Sequence, residues 1–119
     1  MATLNADLNL VLAVQRTNQT YNLMRDELPM LDQAFNEGLQ QAVIVAKDTD
    51  DQVISLGPLA TVQTLLMISD QAVTPKINSE ATGHACKNML LTGASVTALT
   101  LTNESVTLDA NVRLIMLGI

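Results

Sequence analysis

The chain has 119 residues, 48% of them hydrophobic, with no Trp, one Tyr (Tyr21), one Phe (Phe35) and a net charge of −6. That is the size of one domain, 1–119, with a core built from Leu, Val, Ile, Ala and Met. It excludes several function classes: no two basic residues lie closer than nine positions, so clustered phosphate contacts and hence nucleic acid are not expected, and the single Cys86 rules out an internal disulfide framework.

The start, Met1-Ala-Thr-Leu-Asn-Ala-Asp7, has neither the basic region nor the apolar stretch of a leader, and no run is long enough for a membrane span. A soluble, unprocessed protein is expected. Leu8, Leu10, Leu12 and Val14 then alternate with Asn9, Val11, Ala13 and Gln15, the period of a half-buried strand. Residues 16–20 read as a turn and 21–28 as the return strand of a hairpin, ended by Pro29. From 29 to 41 Met30, Leu31, Ala34 and Phe35 fall at helical spacings but Gly38 interrupts them, so a short helix or a long loop is expected, with the loop preferred because Gly costs a helix about 1 kcal/mol relative to Ala.

Strand patterns resume at 42–46 and 52–56, separated by the polar turn Lys47-Asp-Thr-Asp-Asp51. Residues 61–69 form a continuous apolar run suited to a strand buried on both faces. The segment 73–78 contains Pro75, which cannot donate to a ladder, so it is expected at a sheet edge. Three more strands follow at 87–91, 96–102 and 106–117. About nine short strands at this cadence predict an all-β, single-domain β-sandwich of jelly-roll-like form.

Candidate chemistry is sparse. His84 and Cys86 are two soft-metal ligands close together, but zinc needs three or four protein ligands, and the chain has no other His or Cys. An exposed turn histidine and a small buried cysteine are the better reading. Asp48, Asp50 and Asp51 offer carboxylates to a hard cation, yet they lack the calcium-loop pattern and suit a solvated turn. If subunits met through these loops, the acids would repel one another unless a cation or a basic partner surface intervened. Asp26 and Glu27 are adjacent, and adjacent strand residues point to opposite faces, which disfavours an acid–base pair. Met24, Met30, Met67, Met89 and Met116 are scattered and read as core filling. The Thr/Val-rich runs 96–102 and 105–108 suit either an outer sheet face or an edge that accepts another subunit. Neither catalysis nor a cofactor is expected.

Three segments carry a resemblance: Lys76-Ile-Asn-Ser-Glu-Ala-Thr-Gly83, then Met89-Leu-Leu-Thr-Gly-Ala-Ser-Val-Thr-Ala-Leu-Thr-Leu-Thr-Asn103, then Val112-Arg-Leu-Ile-Met-Leu-Gly-Ile119. In their order the chain resembles small virion structural proteins of tailed bacteriophages, of the capsid decoration or cement type. The resemblance is strongest over 76–119 and extends to the N-terminal half only in strand cadence. It implies a jelly-roll protein that bridges capsid subunits on the exterior of the phage head, assembled in the host bacterial cytoplasm, with no membrane partner. Its partners are further copies, as a dimer or trimer, and the major capsid protein or other virion proteins. A head–tail connector, tail or fibre-base component is the alternative. A carbohydrate- or receptor-binding sandwich is a further one, disfavoured because sugar sites usually want aromatic platforms.

Apolar residues in excess of what one thin core can hide point to burial against another subunit. The final strand concentrates them, with Val112, Leu114 and Met116 on one face and Ile115, Leu117 and Ile119 on the other. Together with Val106 and Leu108, these are the candidate interface residues.

Overall fold

A computed structural model describes the backbone of residues 7–16, 19–29 and 37–119, and side chains from 38 onward. The described residues are all β, without a helix: β1 (Asp7–Arg16), β2 (Gln19–Pro29), β3 (Glu37–Val45), β4 (Thr49–Ile54), β5 (Val62–Ile77), β6 (Cys86–Leu91), β7 (Leu99–Asn103) and β8 (Ala110–Gly118). β1 and β2 pair antiparallel from Asp7↔Pro29 to Arg16↔Gln19, the hairpin that the N-terminal alternation predicts, but with Arg16, Gln19 and Thr20 of the expected 16–20 turn inside the ladder and a register shift at Leu12/Ala13. They make a two-stranded sheet of their own. The other six strands form one antiparallel, curled sheet in the order β3-β8-β5-β7-β4, with β6 also paired to β5.

The curl comes from β5. Its first part pairs with β8 from Val62 to Ser69, and its last part pairs with β7 from Thr74 to Ile77. Between the two registers Ser69 Oγ donates to Gln71 O at 2.6 Å and accepts from Gln71 N–H. Asp70 turns outward and accepts from the N–H and Nδ2 of Asn111, both at 2.8 Å. These local bonds bend the strand without ending it. The runs 61–69 and 73–78, expected as separate strands, are therefore one sixteen-residue strand, and eight strands rather than nine are described. Pro75 sits where β5 has a ladder neighbour on one side only, opposite Leu101 of β7, so its missing N–H leaves no ladder bond broken on the other side.

The inner face of the curl is the core: Val45, Ile54, Leu59, Val62, Leu65, Met67, Val73, Val96, Leu99, Leu101, Ala110, Val112, Leu114 and Met116 are all buried. Among the described residues it contains no aromatic side chain. Met67 and Met116 lie within it, directly opposite Leu114 and Leu65.

Part of the 29–41 segment also departs from expectation. Residues 30–36 lie outside the described residues, but 37–41 is strand, because Glu37–Gln41 pair with Leu114–Gly118 of β8. Gly38 serves that pairing: a Cβ there would meet Leu117 Cδ2 at 3.0 Å. The last strand is likewise shorter than the 106–117 pattern suggests. Residues 104–109 are a loop, and β8 begins at Ala110. At the C-terminal end Ile119 exchanges backbone bonds with Ala60 and Thr61, and a Cβ on Gly118 would collide with the Thr61 carbonyl.

Candidate interaction surface

β8 lies between β3 and β5, so its two faces meet different surroundings. Val112, Leu114 and Met116 point inward and are at most 1% exposed. Ile115 and Leu117 point outward. Ile115 stands opposite Gln40 on one side and Leu66 on the other, and Leu66 stands opposite Leu90 of β6. This makes a half-exposed apolar row, Ile115–Leu66–Leu90, across three strands of the outer face. The next row, Ala42–Arg113–Ile68–Asn88, is mixed and limits the patch on that side.

Val106 and Leu108 are more exposed than any apolar residue of β8, at 70% and 52%. They sit on the 104–109 loop, whose shape is fixed by side-chain bonds. Asn103 is fully buried, and its Nδ2 donates to Val45 O at 3.1 Å and Leu108 O at 2.9 Å, while its Oδ1 accepts from Ser105 N–H at 3.1 Å. Ser105 Oγ accepts from the N–H groups of Thr107 and Leu108. The loop is thereby pinned to the end of β3. Of the eight candidate interface residues, three are core and five are on the surface: Val106, Leu108, Ile115, Leu117 and Ile119.

Two further exposed apolar residues, Ile44 on β3 and Val53 on β4, at 64% and 79%, were not among the candidates. The signal was present, since alternation around the inward-facing Val45 and Ile54 puts their neighbours outward. They flank a seam. β3 and β4 are the two ends of the curled sheet's main path and share no ladder; side chains bridge them instead, Gln41 Nε2 donating to Ser55 O at 2.8 Å and Gln52 Nε2 to Ile44 O at 3.4 Å.

Acidic residues surround the same end. Asp48 adopts a left-handed backbone conformation in the turn after β3, with φ of 55°, which Asp tolerates. Its N–H donates to Ser105 O, and Lys47 N–H donates to Asp109 Oδ1. Asp51 pairs with Lys76 Nζ at 2.9 Å and also accepts from Thr102 Oγ1. The Lys76 bond holds the Asp51 carboxyl below its ordinary range and the Lys76 ammonium above its own. Asp51 is thus committed to a cross-strand pair, and no group of three metal-binding side chains exists among the described residues. Thr102, in the Thr/Val-rich run, is buried and ties β7 to Asp51 in both directions, while Thr100 is half-buried.

His84 and Cys86 line one shallow pocket with Pro75, Ile77, Glu80 and Met89. His84 is exposed and Cys86 half-buried at the start of β6. No third ligand or orienting carboxylate bonds either of them among the described residues. Asp26 and Glu27 occupy successive positions of β2, opposite Leu10 and Asn9; their side chains, like those of Met24 and Met30, lie outside the described residues. No helix among the described residues is long and apolar enough to cross a membrane. No protein-family model matches the chain, and neither the curated proteins nor the solved structures contain a significant match.

Proposed function

We propose that this chain is an assembly protein of a tailed-phage virion, most simply a capsid decoration or cement protein that bridges capsid subunits from outside the head as a homodimer or homotrimer. The observation that carries this reading is the group of exposed apolar side chains, Ile44, Val53, Val106 and Leu108, on an otherwise acidic end of the sheet. Burying one such side chain fully is worth about 1.5–3 kcal/mol, so four of them are a substantial anchor for a protein partner. The surrounding acids call for a partner surface with basic groups. The order of motifs over 76–119 supports the phage assignment, and a core without an aromatic among the described residues supports a subunit that depends on its neighbours. In that role 1–119 acts as one domain, and the curled sheet is part of a jelly-roll-like sandwich.

Immuno-electron microscopy with antibodies against the purified chain tests the proposal on particles from the source culture. Even labelling over intact heads is the expected result. Labelling confined to the neck or tail would transfer the chain to the connector, tail or fibre-base alternative. Unlabelled particles, together with saturable hits on a glycan array, would replace the proposal with the carbohydrate-binding alternative.

A further inference from the structure

The seam between β3 and β4 is an unguarded strand edge. In an antiparallel strand the N–H and C=O of one residue point to the same side, and successive residues point to opposite sides. Because the Ile44 carbonyl faces Gln52 across the seam, the backbone groups of Gln40 and Ala42 face it too, while those of Gln41 and Val43 face β8. On the other bank the Ser55 carbonyl faces Gln41. Exposed edges are normally guarded by charge, proline or a bulge. Gly38–Val45 and Gln52–Leu56 hold no charged residue and no proline, and among the described residues two exposed glutamine bonds span the gap.

The same chain contains a matching edge. β1 and β2 pair only with each other among the described residues, and a lone two-stranded hairpin is marginally stable in water. β2 is guarded by Arg25, Asp26, Glu27 and Pro29, whereas β1 runs from Leu8 to Gln15 without a charge or a proline. Its ten residues match the nine of β3.

We infer that the free edge of β1 pairs with the β3 edge of a second copy, displacing the two glutamine bridges, so that copies are joined by strand addition. Main-chain bonds supply the pairing, and the exposed Ile44 and Val53 beside the seam gain cover. This goes beyond the virion role and does not depend on it.

The test is sedimentation and native mass spectrometry of the full chain across a wide concentration range, with residue-resolved amide exchange at each point. Self-association is expected, with the amides of Gln40, Ala42 and Ile44 and those of residues 8–15 gaining protection together as concentration rises. Ala42→Pro removes a seam-facing N–H and leaves the β8 ladder bonds intact, so it should weaken association about tenfold or more, a shift of about 1.4 kcal/mol. Ala42→Lys, at an exposed position that any side chain can occupy, provides a second weakened variant should the proline chain fail to fold. A chain that stays monomeric throughout would overturn the inference. So would protection of both segments in the monomer, which would mean each hairpin covers its own seam, or association that leaves 8–15 unprotected or is untouched in a folded Ala42 variant.

Discussion

Replacing Asn103 by Ala should cost about 2–5 kcal/mol, because one buried amide satisfies three backbone groups at once. The Val45 carbonyl is buried where its bond to Asn103 forms, so losing that donor leaves an orphaned acceptor worth about 1–3 kcal/mol. The Leu108 carbonyl and the Ser105 N–H are only partly buried. Water can replace much of what they lose, and each adds about 0.5–1 kcal/mol. Asn103→Asp separates this account from a simple packing effect: it conserves shape and the acceptor to Ser105, but turns the donor that faces two carbonyls into a carboxylate oxygen. It should therefore be worse than Ala at neutral pH and recover in part as the pH falls and that carboxyl gains a proton. Urea denaturation followed by far-UV circular dichroism measures both. With a slope of about 2 kcal/mol per M, the Ala variant should lower the midpoint by about 1–2.5 M. A shift of less than about 0.3 M, or an Asp variant as stable as the parent at neutral pH, would refute the reasoning.

Two other outcomes follow from the same geometry. Leu114→Ala, fully buried opposite Met67, should destabilise the chain by about 2–5 kcal/mol, whereas the adjacent Ile115→Ala should cost about 1 kcal/mol or less; equal midpoint shifts in urea would mean that β8 is covered on both faces. Asp70 is held below the ordinary carboxylate range chiefly by the Asn111 side-chain amide and then by the Asn111 N–H, so its contribution is present above its unfolded value and lost as the pH falls through its lower folded value. Stability should fall more steeply below about pH 4 in the parent chain than in Asp70→Asn, and coincident acid limbs in thermal melts would remove Asp70 from the account.

The β class was legible because alternation is a local property. Leu8 to Val14 carries it within a few residues, Ala42 to Val45 and Val112 to Met116 are short apolar runs, and each is strand. What alternation cannot report is which strand a segment meets. Gly38 looked like a helix breaker, and its use is visible only once Leu117 is opposite. Pro75 looked like the mark of a separate edge strand, although Ser69, Asp70 and Asn111 bend β5 and carry it through. Val106 and Leu108 continued an apolar run, but the capping bonds of Asn103 and Ser105 keep them in a loop.

The candidate surface divides in the same way. The final strand was identified as a concentration of apolar residues, and pairing between β3 and β5 decided that Val112, Leu114 and Met116 are core while Ile115 and Leu117 face outward. Ile44 and Val53 needed the sheet order to stand out, since an exposed apolar residue gains meaning only when its strand proves to be an edge. Composition and period by themselves determined an all-β chain with an aromatic-poor makeup and an excess of aliphatic side chains, because those follow from counting and spacing. The bend in β5, the open seam and the unguarded edge of β3 were decided by tertiary structure, because each depends on which strands pair and which do not: β5 changes partner from β8 to β7, and β3 meets β8 but not β4.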